Sequence, residues 1–421
     1  MSDATPMASE PVDSIAQPTR PAPSRLMSVD ALRGFDMFWI IGAGSLVGAL
    51  GRMSDNSVVQ FLTYQLRHAE WGGFRFYDLI FPLFLFIVGV SLVFSLTKEI
   101  ERDGRPAALK RLIRRSLLLF VIGIFYSGGF SKEWPEIRLL GVLQRLALGY
   151  FFGGLLFCFI PKPRRLAGIA VGLLVGYWAI MTFVPIRDIQ LSDEQLGALS
   201  AQFGEKDPAI IFHNTKKTTS GQYDMGYNLA NHLDFQYLPG KKWNKYWDPE
   251  GYLSTIPAVS TCLIGVLAGM LLRRKEVEDV SKVKQLALAG ICCLIVGYLW
   301  GLQFPIIKKI WTSSFVLVAG GWSLLLLALF YLVVDVWKAR SWCLPFVWIG
   351  MNSITIYLAN NIIGYPGFRK VAERFVGGDV KNFFNEAVTK GFGDLMVALV
   401  GLGLAVLFCW YLHRRKIFLR L

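Results

Sequence analysis

Apolar residues in this chain fall in blocks of about 20, the length a helix needs to cross the ~30 Å hydrocarbon core of a bilayer. Ten blocks can be read, roughly 33–52, 78–97, 112–130, 139–160, 166–185, 254–272, 285–303, 310–334, 343–364 and 394–412. Pro82, Pro161, Pro185 and Pro345 and clusters of charge mark their ends. Hydrophobic residues make up 54% of the chain and charged ones 18%, too small a polar share to coat a soluble fold of 421 residues. The pattern predicts an all-α, polytopic transmembrane helical bundle of about ten spans.

The formal net charge is +14. In a soluble protein that excess would point to nucleic acid, but here Lys and Arg gather in short loops between the blocks, where they act as topology signals. One set of loops carries Lys98, Arg102, Arg105, Lys110, Arg111, Arg114 and Arg115, then Lys162, Arg164 and Arg165, then Arg273, Arg274 and Lys275, and Arg414, Arg415 and Lys416 follow the last block. The alternate loops are longer and less basic. This asymmetry predicts cytoplasmic termini, outward loops at 53–77, 186–253 and 365–393, and no nucleic-acid partner.

Residues 1–25 are rich in Pro, Ser and Ala with no apolar run, and read as a disordered cytoplasmic tail rather than a signal peptide. Residues 26–421 then form the transmembrane domain. The outward stretch 186–253 is about 68 residues long and holds His213, His232, Lys241, Lys242, Trp243, Trp247 and Asp248. A loop of that size is functional or has its own fold. No internal repeat stands out. The six cysteines, Cys158, Cys262, Cys292, Cys293, Cys343 and Cys409, lie in or beside apolar blocks without a CxxC. They read as small core residues, with no disulfide framework and no metal site.

Polar groups at membrane depth are costly and normally face a cavity or a partner. Five places carry them. In SVDALRG and the following Asp36, the residues Asp30, Arg33 and Asp36 recur every three positions on one helix face, either as an ion pair anchoring the helix end or as an anion site using Arg33. In HAEWGGFRFYD, His68 precedes a Gly-containing stretch that leads to Asp78, and an imidazole suits proton transfer near neutral pH. In GVLQRLALGY, Gln144 and Arg145 lie one turn inside a span, where the Arg either snorkels outward or lines a pore. In DPEGYLSTIPA, Asp248 and Gly251 read as a turn and Ser254 as the cap of the next helix. In GMNSITIYLANN, Asn352 and Asn360 sit two turns apart, facing the same way, as interhelical bonds or substrate contacts.

SVDALRG, HAEWGG, DLIFPLFLFIVGVSL, GVLQRLALGY, DPEGYLSTIPA, KKIWTSS and GMNSITIYL follow one another in the order of one family. Over about residues 26–415 the chain resembles a bacterial relative of the lysosomal heparan-α-glucosaminide N-acetyltransferases, a group of transmembrane acyltransferases. The resemblance implies acetyl transfer from cytosolic acetyl-CoA to a glucosamine-type amine on an amino sugar or glycan across the membrane. It makes His68, in the family's H-A-x-W motif, the catalytic centre. It also places the chain in a bacterial inner membrane, with acetyl-CoA, the acceptor and the lipid bilayer as partners and no metal; a homodimer is compatible with it. Where the family's eukaryotic members have an Asn in the first span, this chain has Ile41, Gly42, Ala43, Gly44 and Ser45, so no role for that Asn carries over.

Acetyl-CoA is charged and cannot cross lipid, so its phosphates must stay at the inner basic surface while the thin pantetheine arm enters the bundle. Arg33, Lys110, Arg111, Arg114 and Arg115 are the candidate phosphate ligands. His68 either accepts acetyl or deprotonates the amine, and Asp78 orients it. Asp30, Gln144, Arg145, Asp248, Asn352 and Asn360 are candidate cavity or substrate contacts. The rival reading is a secondary transporter of a small polar or sugar-like solute; a third, an envelope assembly partner, has no feature in its favour.

Overall fold

Lipid offers no hydrogen bonds to a backbone, so a chain crossing it must satisfy its peptide groups within each segment, as helices do. The computed structural model describes residues 26–131, 133–364 and 367–419, and the tail read at 1–25 lies outside them. Eight helices among the described residues are long and apolar enough to cross a membrane. One of them, Phe76–Ser131, has 56 residues, nearly three times the need. It breaks at Gly104, whose φ of 82° is a conformation that favours glycine, and Pro106 then opens the second half. That helix therefore makes two passes. The helices Ser341–Met351 and Ser353–Ile362 meet at a 64° bend and together make one more, so the eight become ten.

The helices sort by what they touch. Leu288, Ile291, Ile295 and Leu299 form an exposed stripe on the Asp279–Gly301 helix, a lipid-facing surface. Cys292 is exposed and Cys293 only half-buried on the same helix, so these two cysteines are not core residues as the sequence reading had them. The core lies among the Met27–Phe38 helix, the Phe76 half of the long helix, Thr255–Arg273 and Ser313–Phe330, with Leu32, Leu83, Phe86, Cys262 and Phe315 fully buried. The first helix and Leu344–Met351 approach until backbones touch. A Cβ on Gly34 would lie 1.6 Å from the Phe346 carbonyl oxygen, and one on Gly350 would lie 1.9 Å from that of Asp30.

Two loops matter for the site. The segment 304–312, partly assigned above to the span 310–334, is not helical; the helix starts at Ser313, after Thr312 accepts a bond from Phe315 N. This segment pairs with the glycines beyond His68: Gly73 N donates to Ile306 O at 2.9 Å, and Gly72 bridges Ile307. The 186–253 stretch does have a fold. Two short strands, Ile186–Arg187 and Thr218–Thr219, pair antiparallel, and helices Asp193–Phe203, Pro208–Asn214 and Leu229–Tyr237 are each capped by a side chain, Ser192, Asp207 and Asn228. Ile189, Leu191, Ile211, Phe212 and Trp247 form its small core. Trp71 ties it to the bundle, donating to Tyr223 O at 2.9 Å and meeting the Trp247 ring edge-on at 5.5 Å. The 365–393 loop likewise contains two short helices, Phe368–Val376 and Gly378–Ala387.

Candidate active site

Asp78 is the third residue of the Phe76–Tyr126 helix, where a carboxylate stabilises unsatisfied N–H groups. Its Oδ2 accepts bonds from Arg75 N at 3.2 Å and Ala69 N at 3.1 Å. The second bond draws the chain back, so that His68 Nδ1 stands 2.8 Å from Asp78 Oδ1. Arg75 Nη1 also donates to the His68 carbonyl at 2.9 Å. One helix cap therefore orients the imidazole. The sequence reading paired these two residues; it did not anticipate a third. Lys308 Nζ lies 3.1 Å from His68 Nδ1 and 3.4 Å from Asp78 Oδ1.

Asp78 is 1% exposed, Lys308 19% and His68 53%, so an ion pair at the base supports an accessible ring. Burial pulls the Lys308 ammonium below its ordinary range, and the Asp78 charge opposes that pull. With the shorter contact going to Asp78, the Nδ1 proton is directed to the carboxylate and Nε2 is left with a lone pair. The KKIWTSS motif contains Lys308; two lysines between apolar blocks were the available signal.

The triad opens on a cavity of about 490 Å³. His68, Asp78 and Lys308 line one end; Arg33, Ser91, Arg115 and Tyr150 line the other; Phe81, Phe84, Val88 and Leu146 are among the walls. Asp78 and Leu92 both line it, about 21 Å apart along one helix at about 1.5 Å per residue, or two thirds of the ~30 Å hydrocarbon.

The predicted residues separate cleanly. Arg33 lines the cavity, pairs with Asp30 at 3.5 Å and bonds Ser91 Oγ. Asp30 is buried beside it but off the cavity wall, and Asp36 is buried with neither carboxylate oxygen hydrogen-bonded among the described residues. Arg115 lines the cavity with its guanidinium 4.9 Å from the Tyr150 ring and its Nε buried without a hydrogen-bond partner among the described residues. Arg111 is instead held by Glu99 at 2.8 Å, and Lys110 and Arg114 are exposed away from the wall. Gln144 is buried against Gly123, off the cavity. Asn352 lines the cavity, whereas Asn360 accepts from Phe368 N at 3.3 Å. These two asparagines do not share a face, because the helix bends between Met351 and Ser353.

Pro249 and Glu250 of the DPEG turn line the triad's side of the cavity with Arg138 and Trp243, whereas Asp248, expected as a cavity contact, is buried behind the wall. Arg138 reaches Asp248 through two bonds of 2.8 and 2.7 Å, reaches Glu250 at 2.7 Å, and stacks 5.1 Å from the Trp243 ring. Arg145 is 1% exposed, so it does not snorkel. Its Nη2 bonds Pro249 O at 2.9 Å and Ser254 Oγ, its guanidinium lies 4.9 Å from the Trp311 ring, and its Nε and Nη1 are buried without a partner among the described residues. Ser254 is consequently not a side-chain cap; its hydroxyl serves Arg145 and the Pro249 and Gly251 carbonyls. Burial raises the Glu250 carboxyl, and it raises the Asp234 carboxyl beneath the turn to about 7. Arg138 and Glu250 are not among the residues singled out from the sequence, although the DPEG motif is, and Trp243 is named there only as part of the 186–253 stretch.

A family model described as heparan-alpha-glucosaminide N-acetyltransferase, catalytic, matches residues 25–192, the part that carries Arg33, His68, Asp78, Arg115 and Arg145. The human protein named heparan-alpha-glucosaminide N-acetyltransferase is 26% identical over 455 aligned positions, which take in 98% of this chain and 63% of the relative. The mouse protein of that name is 25% identical over 460 positions, with the same 98% and 63%. The chain thus spans less than two thirds of the length of these relatives. By these matches, and in being a helical bundle with membrane-length spans, the chain is similar to heparan-alpha-glucosaminide N-acetyltransferase.

Proposed function

We propose that this protein is a transmembrane acetyltransferase, moving acetyl from acetyl-CoA at its basic face to the amine of an amino sugar or glycan at the opposite face. The observation that carries the reading is one cavity with the His68–Asp78–Lys308 triad at one end and the cations Arg33 and Arg115 at the other. The loop charges favour a cytoplasmic basic face and an outward 186–253 fold, in a cytoplasmic membrane.

The donor brings an acetyl group activated as a thioester. Arg33 and Arg115 suit its phosphates, and the apolar wall formed by Phe81, Phe84 and Val88 suits its thin arm. Trp243, 70% exposed beside Glu250 at the cavity's edge, offers a sugar ring a flat platform, and the Glu250 carboxyl offers its free amine a hydrogen-bond acceptor. His68 Nε2 takes the amine proton as the amine nitrogen attacks the acetyl carbon. The N–C bond forms, the C–S bond breaks, and the imidazolium returns the proton to the thiolate leaving group. Asp78 holds the ring and balances its transient charge. Arg145, with two buried N–H groups unspent, is placed to bond carbonyl oxygens of the arm or the acyl group.

The test is reconstitution into proteoliposomes with labelled acetyl-CoA on the basic side and a panel of amino sugars on the other, for wild type and His68→Ala. We expect N-acetylated sugar from wild type and a loss of about 10²–10⁴-fold or more in the variant, with donor binding intact. Near-normal transfer by the variant refutes the assignment. Label retained on wild type without acceptor, and absent from the variant, would mean that acetyl passes through Nε2 covalently. Solute exchange with no acetylated product would identify a carrier instead.

A further inference from the structure

A second recess, of about 470 Å³, lies where four helices end on the basic face, and it shares no lining residue with the main cavity. Its wall is apolar: Val93 and Ile100 come from the helix before the Gly104 break, Phe157 from the end of Val142–Phe159, and Met270 from the end of Thr255–Arg273. Its rim is net cationic, with Arg105, Arg273 and Arg274 against one carboxylate, Glu276. Arg273 is engaged by Glu101, but Arg105 and Arg274 are exposed and form no ion pair among the described residues. On the wall, Thr97 has its hydroxyl buried without a hydrogen-bond partner among the described residues.

We propose that this recess holds one anionic phospholipid, with its phosphate against Arg105 and Arg274 and its ester-linked chains along Val93, Ile100, Phe157 and Met270. The combination selects the occupant. Guanidinium groups are suited to phosphate, and basic pockets between helix ends at a membrane surface recognise anionic headgroups. A soluble phosphate leaves the apolar wall unused. A zwitterionic lipid satisfies the wall but brings its own cation to a rim where three guanidinium groups outnumber the single Glu276 carboxylate. The break at Gly104 shapes the site, because it turns the chain so that Arg105 faces the ends of helices far along the sequence. This site is independent of the acetyl-transfer reading.

The test uses the full chain, purified in detergent and titrated with phosphatidylglycerol, phosphatidylcholine, inorganic phosphate or coenzyme A, with retained ligand read by native mass spectrometry. We expect one phosphatidylglycerol retained in preference to phosphatidylcholine. Arg105→Gln with Arg274→Gln should weaken that retention by about tenfold or more, since each basic residue near an anionic surface contributes about fivefold. Lys162→Gln with Arg165→Gln, which removes neighbouring charges that do not line the recess, should leave it unchanged, and so should His68→Ala. Equal retention of phosphatidylcholine, displacement by inorganic phosphate or coenzyme A, or an equal effect of the Lys162/Arg165 control overturns the proposal. Thermal unfolding curves matching wild type tie a loss of lipid to the recess rather than to misfolding.

Discussion

The Lys308 ammonium lies 3.1 Å from Nδ1 of His68, although 240 positions separate them in the chain. The contact exists because Gly72 and Gly73 pair with Ile306 and Ile307, which clamps two distant loops at the cavity mouth. An ammonium and an imidazole nitrogen so close are held by a shared acceptor, and Asp78 supplies it.

Lys308→Met should therefore leave Asp78 buried with only the imidazole to balance it. The Nδ1 contact then loses its competitor, and the carboxylate its second partner. We expect transfer to fall by about 10²-fold with donor affinity little changed, and Lys308→Arg to recover part of it, since it keeps the charge but not the geometry. Kinetics on both variants check this. Equal, near-wild-type rates in both would make Lys308 a bystander.

Arg33 and Arg115 line the far end of the same cavity. Each hydrogen bond to a charged group is worth about 1.5–3 kcal/mol, so Arg33→Ala or Arg115→Ala should weaken acetyl-CoA binding by about tenfold or more. Arg114→Ala, on the exposed side of the helix, should not. Calorimetry on detergent-purified protein decides. An unchanged affinity in Arg33→Ala would confine that residue to its bonds with Asp30 and Ser91.

Stability should respond to pH through the outer fold. Burial raises Asp234 to about 7, against about 3.9 in an unfolded chain. Between those values the folded protein keeps a proton that the unfolded chain has lost, so this group's contribution falls as pH rises. Burial also depresses His232 to about 4, below its ordinary value of about 6.5. In that window the unfolded chain takes the proton first, so its contribution is lost as pH falls. The two effects oppose each other between about pH 4 and 6.5. Asp234→Asn should consequently melt relatively higher at pH 6.5 than at pH 4.5, and His232→Gln relatively lower. Thermal unfolding of both variants at the two pH values tests this, and slopes of the same sign would contradict it.

The basic loops predict sidedness. A cysteine at Lys216, in the folded outward stretch, should react with an impermeant maleimide added to intact cells, and one at Arg102 should not. Both positions are exposed, so access depends on the face alone. Replacing Cys292, itself exposed on the lipid side, clears the background. The reverse labelling pattern would invert the bundle.

The passes were legible because bilayer thickness sets the block length, and a block records that whatever packs against it. His68 and Asp78 were legible because they lie ten residues apart on one turn of chain. Lys308, Arg138 and Glu250 were not, since their approach depends on loops meeting from opposite parts of the sequence. Periodicity also assumes an unbroken helix. It aligned Asn352 with Asn360, and the 64° bend separates them. A run of like charges cannot show which members a neighbour neutralises: Glu99 takes Arg111, while Arg115 is left to the cavity.

The stretch from Asp78 to Leu92 has one further consequence. It is a single helix, continuous through Pro82, that carries the orienting carboxylate near one end and, at Ser91, a partner of Arg33 near the other. A helix of that length is a stiff rod, so it works as a ruler for the donor. On the proposed reading, it gauges the reach from phosphate ligands to reacting nitrogen and discriminates against acyl thioesters whose arm is too short to span it.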